Sequence, residues 1–81
     1  MPTFYIHVHG GDFEAVDLVG RDLSCSEAAR AEAVREAREL LAEDITHGRV
    51  PLEEWIEVED EDHRPVMTLP LSQVTPQVSR R

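Results

Sequence analysis

His7 and His9 stand two residues apart in the run Thr3-Phe4-Tyr5-Ile6-His7-Val8-His9, a spacing that puts both imidazoles on one side of an extended chain. Two imidazoles on one strand face begin a metal site when a carboxylate or a third imidazole converges on them. Asp12 is near in sequence, and Glu57 and Glu59 alternate along a second extended run. The same residues permit a plainer chemistry, a pH-sensitive His–Glu pairing across a sheet, since imidazole ordinarily titrates near roughly 6.5. The expectation is a solvated or ion-paired face with no bound metal and no cofactor, His7 and His9 being the residues a metal would use.

Other reactive side chains lack the company that catalysis needs. Cys25 lies beside the start of a helical run, where a helix dipole lowers a thiol pKa, but no histidine is placed by sequence as its base. It is read as a small residue packed at the helix entry. The acidic run from Glu53 to Asp62 suggests calcium, yet Asp60-Glu61-Asp62-His63-Arg64-Pro65 lacks the third oxygen ligand and the glycine of an EF-hand loop. Ser24, Ser26 and Ser72 sit in no nucleophile elbow, and there is no Walker loop or dinucleotide fingerprint. No catalytic residue is assigned, and the chain is expected to be non-enzymatic.

The element around which these residues must be arranged is the stretch Ser24 to Gly48. Ala29, Ala33, Ala37, Leu40, Leu41 and Ile45 form an apolar stripe at helical spacing, and Arg30, Glu32, Arg35, Glu36, Arg38, Glu39 and Glu43 form a charged one. Ser24 and Glu27 have the form of a capping box, and His47 and Gly48 close the helix with a base and a left-handed cap. Before it, Thr3 to His9 alternates as a half-buried strand, with Phe4, Ile6 and Val8 facing the helix. Gly10-Gly11-Asp12 supplies a tight turn, and Phe13 to Val19 is the returning strand, ended by Gly20. After the helix, Arg49 to Leu52 is a connector interrupted by Pro51. Glu54 to Glu59 and Val66 to Leu71 form a second hairpin through Asp60 to Arg64, and Pro70 argues for an edge position.

Strand, strand, helix, strand, strand predicts an α+β, two-layer fold: an antiparallel sheet of about four strands (ββαββ) with one long helix on one face. Residues 1–74 make the single domain, and 75–81 form a polar tail expected to fray. One helix covers one sheet face. The other presents Tyr5, His7, His9, Trp55, Glu57 and Glu59, of which Tyr5, His7, His9, Trp55 and Glu57 are the interface candidates.

Composition narrows the partners. With 81 residues, 17 acids against 8 bases and a net charge of -9, like-charge repulsion opposes the phosphate contacts of nucleic-acid binding. A basic protein is the complementary partner, and a core this small also gains stability from a second copy of itself. One cysteine makes no internal disulfide. No run approaches the ~20 apolar residues of a membrane span, and Met1 to Tyr5 has no basic stretch of a secretory leader. The expected location is the cytoplasm.

The opening P-T-F-Y-I-H-V-H with its glycine-rich turn, the helix A-A-R-A-E-A-V-R-E-A-R-E-L-L-A-E-D and the closing V-M-T-L-P-L-S resemble a family of small uncharacterised bacterial proteins described only as a domain of unknown function. The resemblance spans nearly the whole chain. It implies the fold and the location but no catalytic residue. Members typically carry a glycine in the second hairpin turn, where this chain has His63-Arg64-Pro65. A looser similarity, through the first hairpin and Ser24-Cys25-Ser26-Glu27-Ala28, is to HicB-like antitoxins, which implies binding of a basic protein partner. The reading is a protein–protein interaction module, homodimeric or docking a basic protein, with a small metal- or ligand-binding protein using His7 and His9 as the alternative.

Overall fold

The structure, a computed structural model, describes residues 1–10, 14–48 and 53–74. Five strands, one long helix and a short 3-10 turn follow in the order β1 (Thr3–His9), β2 (Glu14–Ala15), β3 (Arg21–Asp22), α1 (Ser26–Thr46), β4 (Trp55–Glu59), β5 (Pro65–Pro70) and a 3-10 helix at Leu71–Gln73. All pairings are antiparallel. The sheet runs β2-β1-β4-β5, with β3 alongside β2 on the same edge of β1. The α+β, two-layer architecture is therefore that expected. The expected turn at Gly10 to Asp12, the connector Arg49 to Leu52 and the tail 75–81 lie wholly or partly outside the described residues.

The returning strand is not the continuous Phe13–Val19 of the sequence reading. Val8 and His9 pair with Ala15 and Glu14, while Thr3 and Phe4 pair with Asp22 and Arg21. The two registers differ by two residues, so Val16 to Gly20 leaves the ladder and bends over the sheet. Asp17 makes this possible. Its carboxylate accepts the N–H of Ile6 that a strand carbonyl would otherwise have taken, and those of Val19 and Gly20. A buried or half-buried backbone donor needs a partner, and here a side chain supplies it.

The core lies between α1 and the inner sheet face. Phe4 and Ile6 from β1, Ile56 and Val58 from β4, and Leu71 meet Ala29, Ala33 and Ala37 of the helix, all buried. Each fully buried aliphatic side chain contributes about 1.5–3 kcal/mol, and the alanines, having little side chain, let the helix lie close on the sheet. At the C-terminal end the expected stripe is corrected: Ile45 is 56% exposed and Asp44 is buried. Steps of four residues from Ala29 to Leu41 advance the stripe by about 40° each, so a further four carries Ile45 off the core face. Three residues instead turn back by about 60° and place Asp44 under it.

The caps also differ. Cys25, not Ser24, is the N-cap residue, and no side chain closes a capping hydrogen bond. Ser24 Oγ turns to Cys25 Sγ at 3.8 Å, so the Ser24–Glu27 box does not form, and Cys25 is exposed rather than packed. Gly48 does take the left-handed conformation, at φ +71°. Arg21 of β3 ties the strand edge to the helix through Glu32 and Glu36.

β5 is an edge strand, as Pro70 implies. Leu71 N–H donates to Glu54 O at 2.9 Å, so bonded pairs alternate outward from there and Pro70, opposite Trp55, is the position whose missing N–H would have faced solvent.

Candidate functional site

β1 and β4 lay Tyr5, His7 and His9 opposite Glu59, Glu57 and Trp55, on the sheet face away from α1. The sequence-derived face is thus assembled as expected, but its side chains do not pair straight across. His7 Nε2 reaches Glu59 Oε1 at 3.0 Å and His9 Nε2 reaches Glu57 Oε1 at 3.1 Å. Each imidazole passes its direct partner and takes the carboxylate two residues on, the diagonal neighbour that the twist of a sheet brings into range of long side chains.

Three residues that alternation alone does not single out complete the site. Asp17 N–H donates to His7 Nδ1 at 3.0 Å, and the bent segment covers His7 until only 7% of it is exposed. Glu14 Oε2 lies 2.8 Å from His9 Nδ1. His63, from the β4–β5 turn, places Nδ1 3.2 Å from the same Glu59 oxygen that His7 uses. A signal for Asp17 does exist: the Asp-x-x-Gly of Asp17 to Gly20 is a turn pattern set inside a supposed strand.

The bonding assigns proton positions. A donor facing His7 Nδ1 requires that nitrogen to be bare, so the ring proton sits on Nε2 and points at Glu59. His9 meets a carboxylate at each nitrogen, Glu14 at Nδ1 and Glu57 at Nε2. Burial alone would raise the Asp17 carboxyl, but the N–H groups of Gly20, Ile6 and Val19 and the charge of Arg21 hold it below the ordinary value. Glu59 is also held low, first by its bond to His7 and then by that to His63.

Aromatic rings run across the same face. His63 stacks on Tyr5 with centroids 4.4 Å apart, and His9 stacks on Trp55 at 4.8 Å. Beside this row opens a cleft of about 450 Å³ lined by Tyr5, His7, His9, Val16, Asp17, Leu18, Glu57, Glu59 and His63. Among the described residues its lining holds three acids and no lysine or arginine. At its rim Leu18 is 85% exposed, and next to it Val19 is 88% exposed. Among the described residues, no group of three or more His, Cys, Asp or Glu side chains is arranged to hold a metal ion. No described helix is long and apolar enough to cross a membrane.

The sequence model of one family, a domain of unknown function (DUF6894), matches residues 3–72. The chain belongs to that family. In this DUF6894 domain the match takes in every element from β1 to the first part of the 3-10 helix, and with them the whole cleft lining. No curated protein and no solved structure matches the chain. In the second hairpin turn His63 adopts a left-handed φ of 62°. Asp60 builds the turn around it, its Oδ1 accepting the N–H groups of Asp62 and Arg64, both at 2.9 Å. The turn therefore brings a third imidazole to the face, on Glu59.

Proposed function

We propose that this chain is a non-catalytic interaction module whose outer sheet face docks a basic segment of a partner protein. The observation that carries the reading is the cleft on that face, lined by Asp17, Glu57 and Glu59 with no lysine or arginine among its described lining residues, on a chain of net charge -9. Complementary charge raises the encounter rate and selects against acidic competitors. The exposed Leu18 and Val19 beside it supply the apolar contact that charge alone does not. A HicB-like regulator that neutralises a basic protein is one form of this role.

Charge also weighs against a second copy as the occupant of this face. Two copies laid face to face would bring Glu57 and Glu59 toward their own counterparts, and like charges so placed are destabilising.

Light scattering at two concentrations, followed by photo-crosslinking from a reactive residue at position 18, tests the reading. The expected result is a monomer that crosslinks to a basic protein, with capture falling as salt rises and lost when Tyr5 and Trp55 are replaced by serine. A concentration-dependent dimer abolished by those two replacements, or capture indifferent to them, would overturn it.

A further inference from the structure

We infer that the side chain this cleft takes from its partner is an arginine, held by the outer oxygens of Glu57 and Glu59 with its plane against the ring row. The inference rests on the docking reading above and specifies its chemistry.

Both carboxylates are half used. The Oε1 of Glu57 is engaged by His9, and that of Glu59 by His7 and His63. No described residue donates to either Oε2. Two acceptors thus remain on carboxylates that line the cleft, on side chains that alternate along β4 and are spaced by roughly 7 Å at their Cα atoms. An ammonium is a compact point charge whose three donors sit on one nitrogen. A guanidinium carries its five donors around the edge of a plane and offers one to each side.

The walls favour the same group. Tyr5, stacked on His63, presents an aromatic ring in the lining, and a guanidinium stacks on such surfaces while losing less hydration than an ammonium. Val16 and Leu18 form an apolar wall for the methylene stem, which a docked arginine would bury. Tyr5, His7 and His9 fill the floor beside the carboxylates and add no fixed positive charge of the kind that lysine or arginine would bring.

The test uses the intact chain and its one tryptophan. Trp55 stacks on His9 next to the cleft, so its fluorescence reports occupancy. An arginine–glycine repeat peptide is titrated against the lysine–glycine peptide of the same length, at low and at moderate salt. The arginine peptide is expected to bind about tenfold more tightly, and the Glu57→Gln, Glu59→Gln chain is expected to lose that preference. Glu39→Gln removes one charge on the far side of the helix and should leave the preference intact. Circular dichroism checks that each variant is folded, and if the double variant is not, Glu57→Gln alone takes its place. Equal binding of the two peptides by the parent chain, or a preference that survives the Glu57→Gln substitution, would overturn the arginine assignment while leaving the docking reading standing. Binding of neither peptide would overturn both.

Discussion

The backbone N–H of Asp17 donates to Nδ1 of His7 across 3.0 Å, so a segment that has left the ladder is fastened back to the sheet by a side chain of the strand it abandoned. His7 in turn donates from Nε2 to Glu59. Replacing His7 by phenylalanine keeps a ring and removes both bonds, leaving a half-buried amide and a carboxylate oxygen short of a partner. The expected loss is about 1–3 kcal/mol of stability. Asparagine at the same position retains an acceptor near the place of Nδ1 and should recover part of it. Urea denaturation of the two variants checks the order.

Asp17 itself gives the pH dependence a sign. Its carboxyl is lower in the folded chain than in the unfolded one because three backbone amides and Arg21 outweigh the opposing effect of burial. A depressed carboxyl contributes stability that is fully present above its unfolded value, about 3.9, and is lost as pH falls through the folded value beneath it. Asp17→Asn offers one acceptor oxygen instead of two and leaves either Ile6 N–H or the pair from Val19 and Gly20 unserved. We expect it to lower stability by about 1–2 kcal/mol near neutrality and to flatten the acid limb below about pH 4. Thermal melts of both chains across that range measure the difference in slope.

How far the sequence disclosed this arrangement depends on the kind of signal. β1, β4 and β5 alternate cleanly because one face of each meets the alanine stripe of α1, and a period of two is legible wherever one face is buried. The outer row of Tyr5, His7, His9, Trp55, Glu57 and Glu59 follows from the same alternation. Asp17 escaped because its role is set by two-residue slippage between β2 and β3, and register is a property of the pair, not of either strand. His63 escaped for a related reason. A left-handed residue in a turn is ordinarily a glycine, and nothing in Asp60 to Pro65 taken alone shows that the turn folds over Tyr5. The diagonal reach of both histidines depends on sheet twist, which a flat reading of facing positions does not contain.

His63 combines a backbone cost with two contacts, and two replacements separate them. At φ 62° an L-residue loses roughly 1–2 kcal/mol relative to the right-handed region. The stack on Tyr5 returns about 0.5–1.5 kcal/mol, and the exposed contact with Glu59 adds about 0–1 kcal/mol. His63→Ala keeps the backbone cost and deletes the contacts, so it should be less stable than the parent by about 1 kcal/mol. His63→Gly deletes both and should be within about 0.5 kcal/mol of the parent. If alanine and glycine prove equal, the left-handed conformation carries no cost at this position. Equilibrium denaturation resolves the three proteins.

Gly20 and Gly48 both hold positive φ, +81° and +71°, yet only one is enclosed. A Cβ built at Gly20 would lie 2.5 Å from Thr3 Cγ2 and 3.0 Å from Tyr5 Cε1, whereas one at Gly48 would meet none of the described residues within 4 Å. Alanine at 48 should therefore cost about 1–2 kcal/mol, the left-handed penalty alone. Alanine at 20 adds a clash with β1 to the same penalty, and overpacking is worth a further ~1–3 kcal/mol. Because Gly20 closes the turn that Asp17 opens, relief of that clash would pull Val16 to Val19 away from the cleft. Gly20→Ala should then weaken binding at the outer face as well as stability, and Gly48→Ala should change stability only. Denaturation together with the Trp55 fluorescence titration separates the two, and equal losses from both substitutions would mean that the bent segment does not depend on the close approach at Gly20.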